Sequence, residues 1–486
     1  MDAETYSNAA QGAARQPLGG KEIRFPFNGQ SSVIASNRLG VSYTPASLNV
    51  ILRSPHNWDK CGGTRPGLKA FTGTQPSTPA DSRWLWPNGE PIKWSNGDIM
   101  TFSEVGRQVV MPDGGVMFDP HETFEVSASK GSIPNVCTAC ALYRARMVVA
   151  SGSMWYASRS GEFDDFDYGG DMEDLSRAAA GNVALASRKG ETITALAAVA
   201  DTMLVIATKR SLWRMNGDVV QSITQVSDHV GIVSRHAWCW DGVRFWFMSD
   251  KGLYAMVAGE PLVNMTPHLE DAVRGWKAAT LIFDSERNGI HIIGTDGSNG
   301  ATDWFYDIEN RAMWKLQYAS AKRPAAGGLA MLSGMNRAVF LCGDGTWRYW
   351  DETQGTDDGT PIVSALAMGP VTHTTGDTEN AFLAELDFEL DETITATTGV
   401  KVTGCVGRTS NETVSYAKSL VGWVAGGASG VSVGDKFTYN VVPGWQKVVR
   451  PRIRCNSFAA VVWSTAGRWA ISKITAVHRG CGRIRR

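Results

Sequence analysis

The chain has 486 residues, 43% of them hydrophobic, and a formal net charge of −1. That length supplies apolar surface for more than one core, so two or three domains are expected. A balance this close to neutral carries no overall signature of polyanion or membrane binding, and no apolar run reaches the roughly 18 residues a spanning helix needs, so a soluble protein is expected.

Eighteen Trp and 52 Gly, with few stretches of helical period, favour short strands joined by tight turns and hence an all-β protein. Of the eight scattered Cys, only Cys137 and Cys140 lie close together. A single C-x-x-C with no second pair and no nearby His is a poor zinc site and lacks the βαβ setting of a redox motif. Scattered thiols, without a basic-then-apolar leader, point to synthesis and assembly in a reducing cytoplasm.

Residues 1–31 are small, polar and weakly periodic, and read as an extended arm that lacks its own core and orders on a partner. Its deletion is expected to spare the fold. The segment 32–133 reads as a β segment contributing to a platform and to a first blade. Within it Ser42–Arg53 alternates enough for a strand, and Gly62-Gly63-Thr64-Arg65-Pro66-Gly67 punctuates the chain as a tight loop. A Pro-rich connection over 72–91 follows, then short strands at Lys93–Phe102 and Gln108–Met111.

Residues 134–355 repeat one phrase: an apolar run, a Gly-bearing turn, a small polar step, then Trp or Tyr. The instances end at Trp155, Trp213, Tyr254, Trp304 with Tyr306, and Trp347. Hairpins are expected from 141–151 with 154–158, 192–208 with 211–215, 236–248 with 253–257, 279–293 with 304–306 and 312–316, and 328–342 with 346–350. A return every roughly 40 to 60 residues is the period of a four-stranded blade, which makes this region a β-propeller of about five or six blades. N-terminal strands are expected to complete the last one.

The polar, turn-rich stretch Gln354–Thr360 marks a boundary. Beyond it, 356–486 reads as a basic β-sandwich or platform, with strands at Phe382–Leu390, Lys401–Val406, Lys436–Val442, Gln446–Arg454, Ala459–Ser464 and Arg468–Val477. No acidic residue follows Asp435, whereas Lys436, Lys447, Arg450, Arg452, Arg454, Arg468, Lys473, Arg479, Arg483, Arg485 and Arg486 are cationic. Such crowding is either a solvated face or a surface meeting phosphate or acidic neighbours. All but Lys436, together with Arg65, are the candidate subunit or DNA contacts.

For chemistry the sequence nominates no catalytic, cofactor-binding or metal-binding residue. The acidic stretch Glu162–Asp174 has oxygen ligands enough for calcium but not the order of an EF-hand, so a solvated loop anchored by Phe163 and Phe166 is favoured. Ser249-Asp250-Lys251-Gly252 and Gly343-Asp344-Gly345-Thr346-Trp347 each miss the Asp-box pattern, no His sits in a hydrolase context, and no Walker loop occurs. Gly62–Gly67 with Arg65 is a candidate anion cup through its backbone N–H groups, ordinary turn duty being the simpler reading.

The strings Thr44-Pro45-Ala46-Ser47-Leu48-Asn49-Val50 and Gly62-Gly63-Thr64-Arg65-Pro66-Gly67-Leu68 resemble the opening of the tail nozzle (tail tubular B-type) and DNA-stabilisation proteins of short-tailed bacteriophages. Arg146–Ser151 with Trp155–Ser158 and Glu162–Phe166, and the ending Trp469–Ile474 with Arg483–Arg486, resemble later parts of the same proteins. The resemblance implies a non-enzymatic virion protein pairing a β-propeller with a β-rich platform. It implies a hexameric ring below the portal and adaptor, partnered by itself, the head-tail connector, other tail or fibre proteins, and the double-stranded DNA passing through its bore. It implies no cofactor. Carbohydrate binding or cleavage by the propeller, with Trp faces stacking on sugars, is the alternative, and a WD-type cellular scaffold is weaker because Trp-Asp occurs without its Gly-His partner.

Overall fold

The computed structural model describes residues 19–32, 43–52, 61–70, 124–125, 128, 130–134, 136–162, 165–171, 173–183, 191–199, 202–219, 223–257, 260–269, 275–295, 298, 300–332, 335–372, 381–390, 400–426, 436–441, 447–451 and 453–480. The chain forms two compact units, Pro66–Thr360 and the pair Met1–Arg65 with Pro361–Arg486. The expected boundary near 355 thus falls at Thr360, and the N-terminal β segment is divided between the units at Arg65. The strands expected at 93–102 and 108–111 lie outside the described residues.

In Pro66–Thr360, apolar and β-branched runs separated by tight turns fold into five four-stranded antiparallel sheets. Their first strands are Ala139–Tyr143, Ile193–Val199, Trp238–Trp240, Ala278–Asp284 and Pro324–Leu332. The Trp phrase has one structural meaning: it is the turn into the third strand of each sheet. Trp155, Trp213, Tyr254, Trp304 and Trp347 all stand on third strands. Gly152 and Gly345 supply the left-handed turn residues, at φ 59° and 77°.

Neighbouring sheets pack face to face, because alternate side chains of one strand serve opposite neighbours. In the second sheet Ala195, Ala197, Val205 and Ala207 join a core with Trp238, Phe247 and Leu281 of the next two sheets. Leu196, Ala198, Leu204 and Ile206 instead join Val148, Ala150 and Trp155 of the first. Strand Met203–Thr208 is consequently buried at all six positions, and each large apolar side chain so enclosed contributes about 1.5–3 kcal/mol. First strands of successive sheets also meet, the third with the fourth and the fourth with the fifth. The unit is a β-propeller with five four-stranded blades among its described residues.

The fifth blade takes its outer strand from the N-terminal side, as Gly67–Ala70 pairs with Trp347–Asp351. Leu68 N donates to Asp357 Oδ1 at 3.1 Å and Lys69 Nζ to Asp351 at 2.9 Å. Burial pushes the Asp351 carboxyl up, but its Thr353 and Lys69 partners outweigh this and hold it down at about 2. A carboxyl depressed in the folded state stabilises above its unfolded value and stops doing so as pH falls through the folded one. The closing strand is therefore expected to loosen between about pH 4 and pH 2, seen as faster amide exchange at Leu68–Ala70. Asp351→Asn should remove that pH step.

The second unit is a β-sandwich with a helix. Its seven-stranded sheet runs Val50–Leu52, Gly62–Thr64, Ala470–Gly480, Ala381–Leu390, Lys447–Val449, with Gly19–Arg24 also on Ala470–Gly480 and Ile453–Cys455 on Ala381–Leu390. A five-stranded sheet runs Ser47–Leu48, Ser364–Thr372, Ser457–Ser464, Val400–Gly407, Lys436–Val441. Ser457–Ser464 is buried at all eight positions, so both faces of that sheet are covered. On one face Ala459, Val461 and Trp463 meet the helix. The two sheets are tied by Ser364 Oγ, which meets Thr64 Oγ1 at 3.0 Å and accepts from Trp469 Nε1 at 2.8 Å.

Two expectations are corrected here. Residues 19–24 are not a free arm, since all six pair with the last strand, from Gly19↔His478 to Arg24↔Lys473, and Ile23 is fully buried. Deleting 1–31 should destabilise the platform rather than spare it. The strand-only reading also passed over the helix Ser410–Val424, whose signals are local. Thr409 Oγ1 accepts from Glu412 N at 3.2 Å and Glu412 reaches back to accept from Arg408 N at 2.8 Å, one residue before the N-cap, a near relative of the capping box. Val414, Ala417, Leu420 and Val421 make its buried stripe. Thr409→Ala is expected to cost about 1 kcal/mol, measurable as a lowered denaturation midpoint; an unchanged midpoint would deny the cap its role.

Candidate functional site

The basic C-terminal region stands out in the sequence by its charge, and folding changes what that charge means. The alternating strand Phe382–Leu390 lies between the strand Ala470–Gly480 and the strands Lys447–Val449 and Ile453–Cys455. Residues facing across a ladder share a sheet face. In register, Lys473 stands between Arg24 and Glu389, Thr475 opposite Asp387, and Val477 opposite Glu385. Arg450 Nε donates to Glu385 Oε2 at 3.4 Å. Acids from earlier in the chain, Glu385, Asp387 and Glu389, thus enter the same sheet as the basic C-terminal strands, beside Lys473 and Arg450.

The candidates separate accordingly. Arg450 and Arg454 are exposed, and Arg454 makes no ion pair among the described residues. Lys473 and Arg468 are half-buried, Arg468 directly preceding the buried Trp469. Lys447 pairs with Phe388, and Arg479 faces Phe382 across from Arg454. Arg452, Arg483, Arg485 and Arg486 lie outside the described residues.

Arg65 is corrected. It is 0% exposed, its Nε donates to Asn49 Oδ1 at 3.0 Å and its N–H to Asn49 O at 2.9 Å. It cannot reach a partner surface. The anion-cup reading fails with it, because the N–H groups of the string are used internally: Thr64 N donates to Trp469 O, Gly67 N to Gln354 O and Leu68 N to Asp357 Oδ1.

The acidic stretch shapes its own loop. Asp165, Asp167, Asp171 and Asp174 each turn a carboxylate oxygen onto the backbone N–H two residues ahead, at 2.8–3.0 Å. Arg146, 1% exposed, holds the loop from beneath, with Nη1 donating to Ser158 O and Arg177 O and Nη2 to Leu175 O. Phe166 is the buried anchor; Phe163 lies outside the described residues. Arg146→Met is expected to make 159–177 sensitive to limited proteolysis while leaving the blade strands protected, and unchanged cleavage would contradict this.

No group of three or more His, Cys, Asp and Glu that could hold a metal occurs among the described residues. Cys137 and Cys140 are buried, and burial pushes the Cys137 thiol up to about 11, away from the thiolate that binds metal. The phrase residues Trp155, Trp213, Trp304 and Trp347 are at most 4% exposed, so they serve the core and offer no face to a sugar. Among described residues Trp423, at 44%, is the exposed Trp, set edge-on against Trp463.

No protein-family model and no curated protein matches the chain. Similar solved structures include the extracellular domain of a one-component system from B. thetaiotaomicron, at 10% identity and TM-score 0.28, covering 57% of this chain and 44% of that one. The WD40 domain of Toxoplasma gondii coronin gives 12% identity and TM-score 0.25, covering 43% of this chain and 55% of that one. The N-terminal domain of Nup159 gives 11% and 0.28, covering 62% and 97%. The chain spans less than half of the first of these and just over half of the second. The propeller assignment rests on the strand topology, not on these likenesses. No helix among the described residues is long and apolar enough to cross a membrane.

Proposed function

We propose that this β-propeller protein is a structural component of a short-tailed bacteriophage tail, a nozzle-type ring subunit below the portal and adaptor that works by assembly rather than catalysis. The reading is supported by where the resembling strings fall. Thr44, Asn49, Thr64 and Arg65 are buried. Thr44 Oγ1 donates to Ala367 O at 2.6 Å and Asn49 Nδ2 to Val363 O at 2.8 Å, joining the N-terminal strands to the strand Ser364–Thr372 and the residue before it. The N-terminal strings therefore lie largely on residues that determine the platform, where a shared fold would leave its trace.

The DNA in the bore is proposed as cargo passing through the ring. Sequence-independent retention of DNA scales with uncompensated cations, and the acid stripe Glu385–Asp387 lowers that excess on the sheet face. Subunits, the connector and other tail proteins are the partners this face suits better. In the phage that encodes the chain, disrupting its gene is expected to yield heads that package DNA and then lose it, with no adsorption-competent particles. Normal particles from the disrupted phage would refute the proposal.

A further inference from the structure

We infer that the cleft between the fourth and fifth blades binds a small carboxylate; the site lies within the propeller unit and stands independently of the assembly reading above. At the three preceding seams a hydroxyl is tied to a carbonyl across the seam. Thr138 Oγ1 donates to Ile193 O at 3.1 Å, Thr194 Oγ1 to Ile232 O at 2.7 Å, and Ser234 Oγ to Ala279 O at 2.7 Å. On the fourth blade, Ala279 and Leu281 face the core shared with the second and third blades, so the alternate residues Thr280 and Ile282 face the fifth. Ile282 stands so close to that blade that its Cδ1 would lie 2.2 Å from a Cβ on Gly327. Thr280 is 6% exposed, yet its hydroxyl has no hydrogen-bond partner among the described residues.

At this seam Thr280 lines a cleft of about 100 Å³, together with Ala278, Ile293, Thr295, Arg323 and Ala325. The first strand of the fifth blade shifts register between Pro324 and Ala326, a bulge that, with alanine at 278 and 325, keeps the seam from closing. Arg323 reaches back across it: Nε and Nη2 donate to the two Asp303 oxygens at 2.8 and 2.7 Å, and Nη2 to Gly294 O at 2.6 Å. Nη1 has no partner among the described residues. The cleft therefore combines donors from Arg323, Thr280 and Thr295 with the apolar side chains of Ile293 and Ala325. A carboxylate accepts from all of these donors, in charge-assisted bonds. An amide would need an acceptor for its own N–H groups, and Asp303 is already engaged by Arg323 and by Gly294 N at 3.4 Å. At about 30 Å³ per water, the cleft has room for about three waters or for a carboxylate of about five heavy atoms, such as propionate.

The test titrates the full chain with propionate, propionamide and n-propanol, which share a carbon skeleton, and reads binding by saturation-transfer NMR. Because Asp303 offsets the guanidinium charge, propionate should bind with a Kd on the order of 1 mM, and the other two at least about tenfold more weakly. Thr280→Val should weaken propionate binding about tenfold and leave the melting temperature unchanged, since the hydroxyl it removes holds no other group. Thr194→Val, which breaks the bond to Ile232 O, should lower the melting temperature and leave binding intact. Ala325→Leu fills the cleft and should abolish binding; if that variant fails to fold, Thr280→Val still decides. No propionate binding up to about 50 mM, n-propanol binding as tightly as propionate, or an unchanged affinity in Thr280→Val would each overturn the inference. A fall in melting temperature for Thr280→Val as large as that for Thr194→Val would do so too, because the hydroxyl would then be a clamp.

Discussion

Gly63→Ala is expected to unfold the platform unit at ordinary temperature. A Cβ at this position would lie 1.7 Å from Trp469 O and 2.6 Å from Ala470 Cα. Both are backbone atoms of the strand that Gly63 pairs with, in the register Gly63↔Ala470, so no rotamer change relieves the overlap. The strand would have to leave the sheet, or the sheet to open beside Trp469, whose indole ties the two layers through Ser364. Overpacking of a well-filled core typically costs 1–3 kcal/mol and more where backbone must move. We expect a loss of at least about 3 kcal/mol, read as the early disappearance of one of two unfolding transitions in denaturant. Gly152→Ala is the control: its Cβ meets nothing within 4 Å and φ is 59°, so only the backbone cost of about 1 kcal/mol applies. Equal midpoints for the two variants would contradict the sheet register.

Arg65→Glu is expected to be the most damaging charge reversal among the candidate cations. Arg65 is wholly buried against Asn49, which itself holds a left-handed conformation at φ 51° and bonds Val363 O. Reversal would bury an anion in place of the guanidinium and strand the Asn49 carbonyl. Breaking such a buried arrangement costs about 3–5 kcal/mol. Arg450→Glu should change stability by less than about 1 kcal/mol, as exposed ion pairs contribute little. Urea titration of both, followed by Trp fluorescence, gives the comparison. If Arg65→Glu is as stable as Arg450→Glu, Arg65 is a surface group and the platform is built differently.

The propeller was legible because its signal repeats: five turn-then-aromatic phrases, four ending in Trp and one in Tyr254, mark five third strands, and period is read more securely than any single strand. The completion of the last blade by an N-terminal strand was also expected, and Gly67–Ala70 supplies it. The alternating strand Phe382–Leu390 was legible for the same reason, through its period of two. What escaped were features decided by pairing at long range. Gly19–Arg24 looks like an arm because only Ile23 is apolar within it, and its partner lies at Ala470–Gly480. Arg65 looks like an anion ligand until Asn49 is placed beside it. The excess of cations after Asp435 looks like a single-sign surface, and only the ladder shows Glu385 and Asp387 between them. The helix Ser410–Val424 is different: Thr409, Glu412 and the Val414–Ala417–Leu420–Val421 stripe announce it locally, and a strand-only expectation hid them.

The central claim, that this propeller and platform form a tail ring, is tested most directly by counting. Infectious particles purified on a density gradient would be digested and the chain quantified by mass spectrometry against the portal protein. The account predicts about six copies per particle, the hexameric ring that the resemblance to tail nozzle proteins implies closing by cyclic symmetry. Absence of the chain from infectious particles would contradict it.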